Sequence, residues 1–171
     1  MPEETMPTSA SDRRDEQASS VTFRLADPRS EEAIASMMSY FDELEQRFPE
    51  GFDPGDTLVA DAASFDEPHG TFLVAWAHGH AVGCGGVHLL GGDTGEIKRM
   101  WIDPEWRGIG LGKALLSALE EHGVRLGFTT IRLDTNSVLT TAIRMYETAG
   151  YKTIPRYNDN PFAKHWFEKV I

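Results

Sequence analysis

The chain has 171 residues, of which 40% are apolar and 25% charged, which is typical of a single globular domain with its own core. Its 27 acidic and 16 basic side chains give a net charge of −11, which disfavours nucleic-acid binding because such a surface repels phosphate backbones. The sequence has no apolar run near the roughly 20 residues of a membrane span and a single cysteine, Cys84, so we expect a cytoplasmic protein with no membrane association.

Residues 1–20 are rich in Pro, Ser, Thr, Glu and Asp without apolar periodicity, which predicts a disordered tail before one domain over 21–171. Residues 21–25 alternate as in a strand. Asp27 and Pro28 are expected to begin a helix. Its apolar positions follow at helical spacing: Ile34, Met37, Met38, Phe41, Leu44 and Phe48. The pattern of residues 52–70 does not distinguish a long loop from a loop that contains a short helix.

The rest of the chain alternates between strand and helix patterns. A hairpin is predicted over 71–78 and 81–90 with Gly79 and His80 as its turn, followed by strands at 96–102, 130–134 and 165–171 and helices at 111–127 and 142–149. Gly150 is placed to end the second of these helices. The order of strand, helix, three strands, helix, strand, helix, strand predicts an α/β layered domain with a mixed sheet.

The glycine-rich segment 107–113, between a strand and a helix, carries the clearest chemical signal. Glycines at a helix N-terminus let an anion approach N–H groups that have no partner within the helix, which is typical of a pyrophosphate site. The spacing fits neither a Walker-type P-loop nor the Gly-x-Gly-x-x-Gly dinucleotide fingerprint, because Arg107 and Lys113 stand where glycines are required. It fits Arg/Gln-x-x-Gly-x-Gly/Ala, with Arg107, Gly110 and Gly112.

This motif resembles that of the GNAT N-acetyltransferases. Its flanks at 96–108, 131–136 and 142–151 resemble the family's fourth strand, fifth strand and last helix, and the likeness extends over 21–171. The resemblance implies a GNAT-like layered fold, with a mixed, mostly antiparallel sheet of six to seven strands flanked by helices. It also implies an acetyltransferase domain that uses acetyl-CoA. From the residues themselves, we expect no metal. The six histidines are too scattered to suggest a zinc site.

The resemblance assigns roles to particular residues. The pantetheine arm of acetyl-CoA would lie between the fourth and fifth strands. Its binding residues would be Met100, Trp101, Ile102, Arg107, Gly108, Ile109, Gly110, Leu111, Gly112, Lys113 and Asn136. Tyr146 would protonate the departing thiolate, with a plain core aromatic as the alternative. Glu96 would act as base or position a water, with an exposed strand-end carboxylate as the alternative. Cys84, inside an apolar run, is expected to be a buried, unreactive thiol.

The acceptor is less clear from the sequence. The resemblance places its site at the first helices and the C-terminal strands, where Tyr40, Glu45, Asn158 and His165 are candidate wall residues. A small-molecule amine is the expected acceptor. A protein lysine or N-terminus, and a non-catalytic acyl-CoA-binding sensor, remain alternatives. The intact glycine motif and Tyr146 favour an enzyme over a sensor, and an exposed sheet edge would permit a homodimer.

Overall fold

A computed structural model describes residues 9–171, apart from the side chain of Val59. One sheet organises the fold. Its seven strands are β1 (Thr22–Leu25), β2 (Gly70–Ala77), β3 (His80–Gly91), β4 (Thr94–Ile102), β5 (Thr130–Thr135), β6 (Lys152–Thr153) and β7 (His165–Val170). The spatial order is β1-β2-β3-β4-β5-β7-β6, and every neighbouring pair is antiparallel except β4 with β5. The predicted fold class, a mixed and mostly antiparallel sheet of six to seven strands with flanking helices, is confirmed.

The helices cover both faces of the sheet. They are α1 (Ala10–Ser19), α2 (Glu31–Arg47), α3 (Thr57–Ala60), α4 (Leu111–Arg125) and α5 (Thr140–Thr148), with single 3₁₀ turns at Ala62–Phe65 and Pro104–Trp106. Neighbouring residues of a strand face opposite sides, so Leu73 packs into the core under α4 and α5 whereas Phe72 packs under α2. The helices therefore form two layers around one sheet. No helix in the described part of the chain is long and apolar enough to cross a membrane.

The N-terminal segment differs from the prediction. Residues 10–19, expected to be disordered, form α1, which begins with a capping box between Ser9 and Asp12. Ala18 packs against the core, a contact that local composition does not reveal. Residues 1–8 of the predicted tail lie outside the described residues.

Two predicted boundaries were also wrong. Helix α2 begins at Glu31, because Ser30 caps it by accepting a hydrogen bond from the N–H of Ala33, whereas Asp27 belongs to the preceding turn. The hairpin turn consists of His78 and Gly79, whose φ angles of 50° and 78° are both positive, as a type I′ turn requires. It lies one residue earlier than expected.

The parallel pair β4–β5 separates along its length. Thr94–Glu96 pair with Thr130–Arg132, and the two strands have no pairing beyond that point. Strand β4 also has a bulge against β3, where Arg99 has a φ of 58°. The bulge turns β4 away from its neighbour, so a gap opens between β4 and β5.

Candidate active site

A cleft of about 610 Å³ occupies the gap between the two strands. Its walls are residues 97–100 of β4, 133–136 at the end of β5, Tyr40, Phe41, Leu44 and Phe48 around α2, Phe52–Pro54, Thr57, Asp61, Leu139, Ala142, Tyr146 and residues 158–163. One side of the cleft therefore belongs to β4, β5 and α5, and the other to α2 and two loops. This arrangement brings together side chains that are more than a hundred residues apart in the sequence.

The glycine loop precedes α4 with the geometry of an anion cradle. Gly108 and Gly110 have φ angles of 79° and 86°, and nothing lies within 4 Å of a Cβ built on either. Gly110 is the N-cap, and the first intrahelical hydrogen bond runs from Ala114 to its carbonyl. The N–H groups of residues 111–113 therefore have no acceptor within the helix. Such a helix start, with open space above it, suits a pyrophosphate.

The side chain of Arg107 does not project into this cradle. Its guanidinium nitrogens donate to the Glu43 carboxylate over 2.5 and 2.9 Å, and its Nε donates to the carbonyl of Ile102 over 2.8 Å. Glu43 also accepts from Trp101 Nε1 and from Arg47. Arg107 thus fastens the start of the glycine loop to β4 and to α2, and the cradle itself is built of main chain.

The other predicted acetyl-CoA contacts are spread around this centre. Met100 lines the cleft, whereas the side chains of Trp101 and Ile102 are buried in the cores on opposite faces of the sheet. Asn136 lines the cleft, but its Nδ2 donates to the carbonyl of Phe162 over 2.7 Å. Its side chain therefore fixes the 158–163 loop against the end of β5.

In the loop itself, Leu111 is buried in the core, Ile109 packs against it, and Lys113 is exposed. Gly112 faces α5, where an added Cβ would lie 3.1 Å from Met145 Sδ. A side chain at this position would therefore be tight against the Met145 side chain, which would have to shift by a few tenths of an ångström. The third glycine of the motif serves helix packing in this structure.

Tyr146 lies on α5 and borders the cleft with only 7% of its surface exposed. Its ring packs near Tyr151 and Phe167, with centroids 5.9 and 6.1 Å away. Burial, and then the charge of Asp134, raise the pKa of the phenol to about 12. The hydroxyl therefore stays protonated at neutral pH and can donate a proton into the cleft.

Glu96 is buried, with 3% of its surface exposed, and it is not among the cleft walls. Its Oε1 lies 3.1 Å from His88 Nε2 and 3.4 Å from Lys98 Nζ, and its Oε2 accepts from the Tyr157 hydroxyl over 2.7 Å. Burial raises its pKa, but His88, Lys98 and Tyr157 together outweigh that effect and hold the pKa below its ordinary value. Glu96 is therefore a buried anion behind the cleft, and the alternative of an exposed strand-end residue is wrong.

Asp134 is the carboxylate of β5 that borders the cleft, whose walls also include Asp53, Asp61 and Asp159. Asn158 Nδ2 donates to it over 2.5 Å and lies 3.4 Å from Glu96, so one amide bridges the two acids. Asn160 donates to the other oxygen of Asp134 over 3.1 Å. Burial has the largest effect on the pKa of Asp134 and raises it, and the charge of Glu96 raises it further. The two amides and Lys98 lower the pKa, but by less, so it stays above its ordinary value. Asp134 is thus a half-buried acid with an increased affinity for a proton.

Only two of the four predicted acceptor-wall residues line the cleft. Tyr40 and Asn158 line it. Glu45 is exposed on α2, and His165 forms a hydrogen bond with Ser137 and stacks on the ring of Phe167. Helical spacing explains why Glu45 lies outside the cleft. It follows Leu44 by one residue, so its side chain points away from the side of α2 that faces the sheet.

Cys84 is fully buried on β3, and burial raises the pKa of its thiol to about 12, which confirms the expectation of an unreactive group. Its Sγ contacts the carbonyl of Arg99 at 3.4 Å. No cluster of three or more His, Cys, Asp or Glu residues within 9–171 could hold a metal ion.

Sequence reasoning gave no role to Asp134, Glu43 or Phe52, and it placed Phe162 only within a segment, 157–167, expected near the acceptor. Asp134 had a local signal, since it is the acid at the carboxyl end of a strand beside a predicted cofactor gap. Glu43 had none, because its partner Arg107 lies 64 positions away. The ambiguous segment 52–70 concealed Phe52.

Comparison with known proteins agrees with this geometry. The model of the acetyltransferase (GNAT) family matches residues 37–151. An uncharacterized N-acetyltransferase of Schizosaccharomyces pombe is 39% identical over 108 residues, which are 62% of this chain and 66% of that protein. A structure from Klebsiella pneumoniae, described as an acyl-CoA N-acyltransferase, is 30% identical, with a TM-score of 0.67 over 88% of this chain and 97% of the other.

The fold is also shared with more distant proteins. A GNAT family acetyltransferase from Elizabethkingia anophelis, solved with acetyl-CoA bound, is 14% identical and has a TM-score of 0.65 over 89% of this chain and 99% of the other. The glycine cradle, the separated strands and the family match over two thirds of the chain lead to the same assignment. The chain belongs to the acetyltransferase (GNAT) family of acetyl-transferring enzymes.

Proposed function

We propose that this protein transfers the acetyl group of acetyl-CoA directly to the primary amine of a small molecule. The observation that carries the proposal is the cleft between β4 and β5, which both a proton donor, Tyr146, and a proton acceptor, Asp134, border. A group-transfer site needs both functions near the reacting atoms. The buried Cys84 thiol supports direct transfer, because it cannot serve as an acyl carrier.

The residues present fit acetyl-CoA. The N–H groups at the start of α4 and the open space above Gly108 and Gly110 suit its pyrophosphate. The edge of β4 from residue 97 to residue 102, which does not pair with β5, offers backbone groups to the pantetheine arm and to the thioester oxygen. When bound, acetyl-CoA supplies an acetyl group already activated as a thioester.

The acceptor must lose a proton before it can react, since an alkyl ammonium has no free lone pair. In this proposal Asp134, which borders the cleft, accepts this first proton. Glu96 is the buried anion that positions Asp134 through the side chain of Asn158. Tyr146 gives its proton to the departing sulfur. The second proton of the amine, released as the amide forms, restores Tyr146, and Asp134 passes the first to solvent.

The acceptor site supports a small molecule over a protein. Two loops line the cleft opposite β4 and β5, and Asn136, Asn158 and Asn160 hold one of them in place by hydrogen bonds. An extended peptide needs a long open groove, whereas the cleft of about 610 Å³ would hold the pantetheine arm as well and leaves the acceptor a space of small-molecule size.

Calorimetric titration with acetyl-CoA, followed by thiol release with a panel of amines, tests the proposal. We expect saturable binding that is lost in Gly110→Glu. The matched control is Gly92→Glu in the β3–β4 turn, which has the same added charge and a similar positive φ of 58°. No acetyl-CoA binding by the wild type, or equal loss in the control, would refute the proposed site. Binding without thiol release from any acceptor would favour the sensor.

A further inference from the structure

The acceptor side of the cleft has an aromatic wall, formed by Phe41, Phe48, Phe52 and Phe162. Phe52 lies at its centre, with ring centroids 5.5 Å from Phe41, 5.8 Å from Phe48 and 4.7 Å from Phe162. Phe41 and Phe48 are buried, whereas Phe52 and Phe162 keep part of their surface accessible. The accessible rings belong to loops, pack against the edge of the core under α2 and line the cleft, so they can contact a ligand.

This wall is fixed close to Asp134. The Asn160 side chain donates to Asp134 over 3.1 Å, and its Oδ1 accepts from the N–H of Phe162 over 3.0 Å. A single asparagine side chain therefore spans from the carboxylate to the backbone of an aromatic residue. A ligand with an ammonium group at Asp134 would therefore lie next to the loop that carries Phe162, whose ring packs against Phe52.

The cations of the cleft are already neutralised. Arg99 donates to the carbonyl of Thr57 over 2.6 Å and to Asp61 over 3.1 Å, and its side chain is only 6% exposed. Lys98 lies 3.4 Å from the Glu96 carboxylate. Asp134, by contrast, forms no ion pair with any residue of the described chain. The cleft can thus accept a positive charge but has no uncommitted cation for a carboxylate.

From these contacts we infer that the acceptor is a primary amine on an aromatic body without a carboxylate group. The ammonium lies at Asp134 and the ring packs against Phe52 and Phe162. This inference rests on the proposed function and makes it specific. Free amino acids are poor acceptors, because their carboxylate would lie unpaired near Asp134 and Glu96. Short aliphatic amines are poor because they leave the aromatic wall uncovered.

Three probes separate the contributions. 2-Phenylethylamine has both features, phenylalanine adds a carboxylate to the same body, and ethylamine lacks the ring. We expect kcat/KM for 2-phenylethylamine to exceed that of either other probe by about tenfold or more, the value of covering one aromatic face. In Phe52→Ser the advantage over ethylamine should fall about tenfold. Phe52→Leu, which keeps an apolar side chain, should retain most of it.

The control is Phe23→Ser on β1, since Phe23 is a partly buried phenylalanine of the other core and does not line the cleft. The preference of the Phe23→Ser variant for 2-phenylethylamine over ethylamine should match that of the wild type. Calorimetry with acetyl-CoA on every variant separates the two proposals. If acetyl-CoA does not bind, the proposed function fails. If acetyl-CoA binds, but ethylamine or phenylalanine is the best of the three acceptors, or none of the three is acetylated, the inference on the acceptor is overturned.

Discussion

The Glu43 carboxylate joins α2, β4 and the glycine loop, and Glu43→Gln should therefore destabilise the protein. The pKa of Glu43 is lowered to about 2. Hydrogen bonds from Arg107 contribute most to this lowering, burial opposes it, and the hydrogen bond from Trp101 adds to it. A hydrogen bond to a charged group is worth roughly 1.5–3 kcal/mol, but ion pairs with exposed partners are worth only about 1 kcal/mol or less. Because the Arg107 side chain is 38% exposed, we expect a total loss of about 2 kcal/mol at pH 7.

The pH dependence has a definite sign. The pKa of Glu43 is lower in the folded protein than its ordinary value of 4.5, so its contribution is fully present above pH 4.5 and is lost as pH falls towards about 2. The difference in unfolding free energy between the wild type and Glu43→Gln should therefore be constant near neutral pH and shrink in acid.

Urea unfolding followed by tryptophan fluorescence measures the effect on Glu43→Gln, Arg107→Gln and the double variant. The double-mutant cycle should give a coupling of about 1 kcal/mol. Glu45→Gln on the same helix is the matched control, because this exposed glutamate lies outside the cleft walls, and it should be close to neutral. Additive effects of Glu43→Gln and Arg107→Gln, or an equal loss in Glu45→Gln, would refute this account of the loop.

The other predictions concern catalysis and acetyl-CoA binding. Asp134→Asn should lower kcat/KM by about 100-fold and remove the acidic limb of its pH profile, where activity falls as Asp134 becomes protonated at its raised pKa. Glu96→Gln should depress turnover and shift that limb to lower pH without removing it; a limb lost in Glu96→Gln but kept in Asp134→Asn would make Glu96 the base. Tyr146→Phe should lower kcat by roughly 100-fold with acetyl-CoA binding unchanged in calorimetry, and full activity would exclude the acid role. Gly110→Ala should weaken acetyl-CoA binding in calorimetry, because alanine is strained at a φ of 86°, and unchanged affinity would contradict the cradle.

The parts of the site that are contiguous in sequence were predictable. The glycine spacing at 107–113 determines a loop that must adopt positive φ before a helix, and this requirement is local. The order of strands and helices followed from hydrophobic periodicity for the same reason. The predicted helix start at Asp27 was wrong because Ser30, three residues further on, caps the helix, and this choice depends on hydrogen bonds that form only in the folded chain.

The sequence alone determined the family, the glycine loop before α4 and the position of Tyr146, because each depends on residues within one short segment. Only the tertiary structure decided that Asp134, and not Glu96, borders the cleft. Glu96 and Asp134 each lie on a strand, and Glu96 is buried because β4 and β5 are still paired there and separate only beyond it. The asparagines that bridge the two acids, and the aromatic wall beside them, come from loops whose positions depend on contacts distant in sequence.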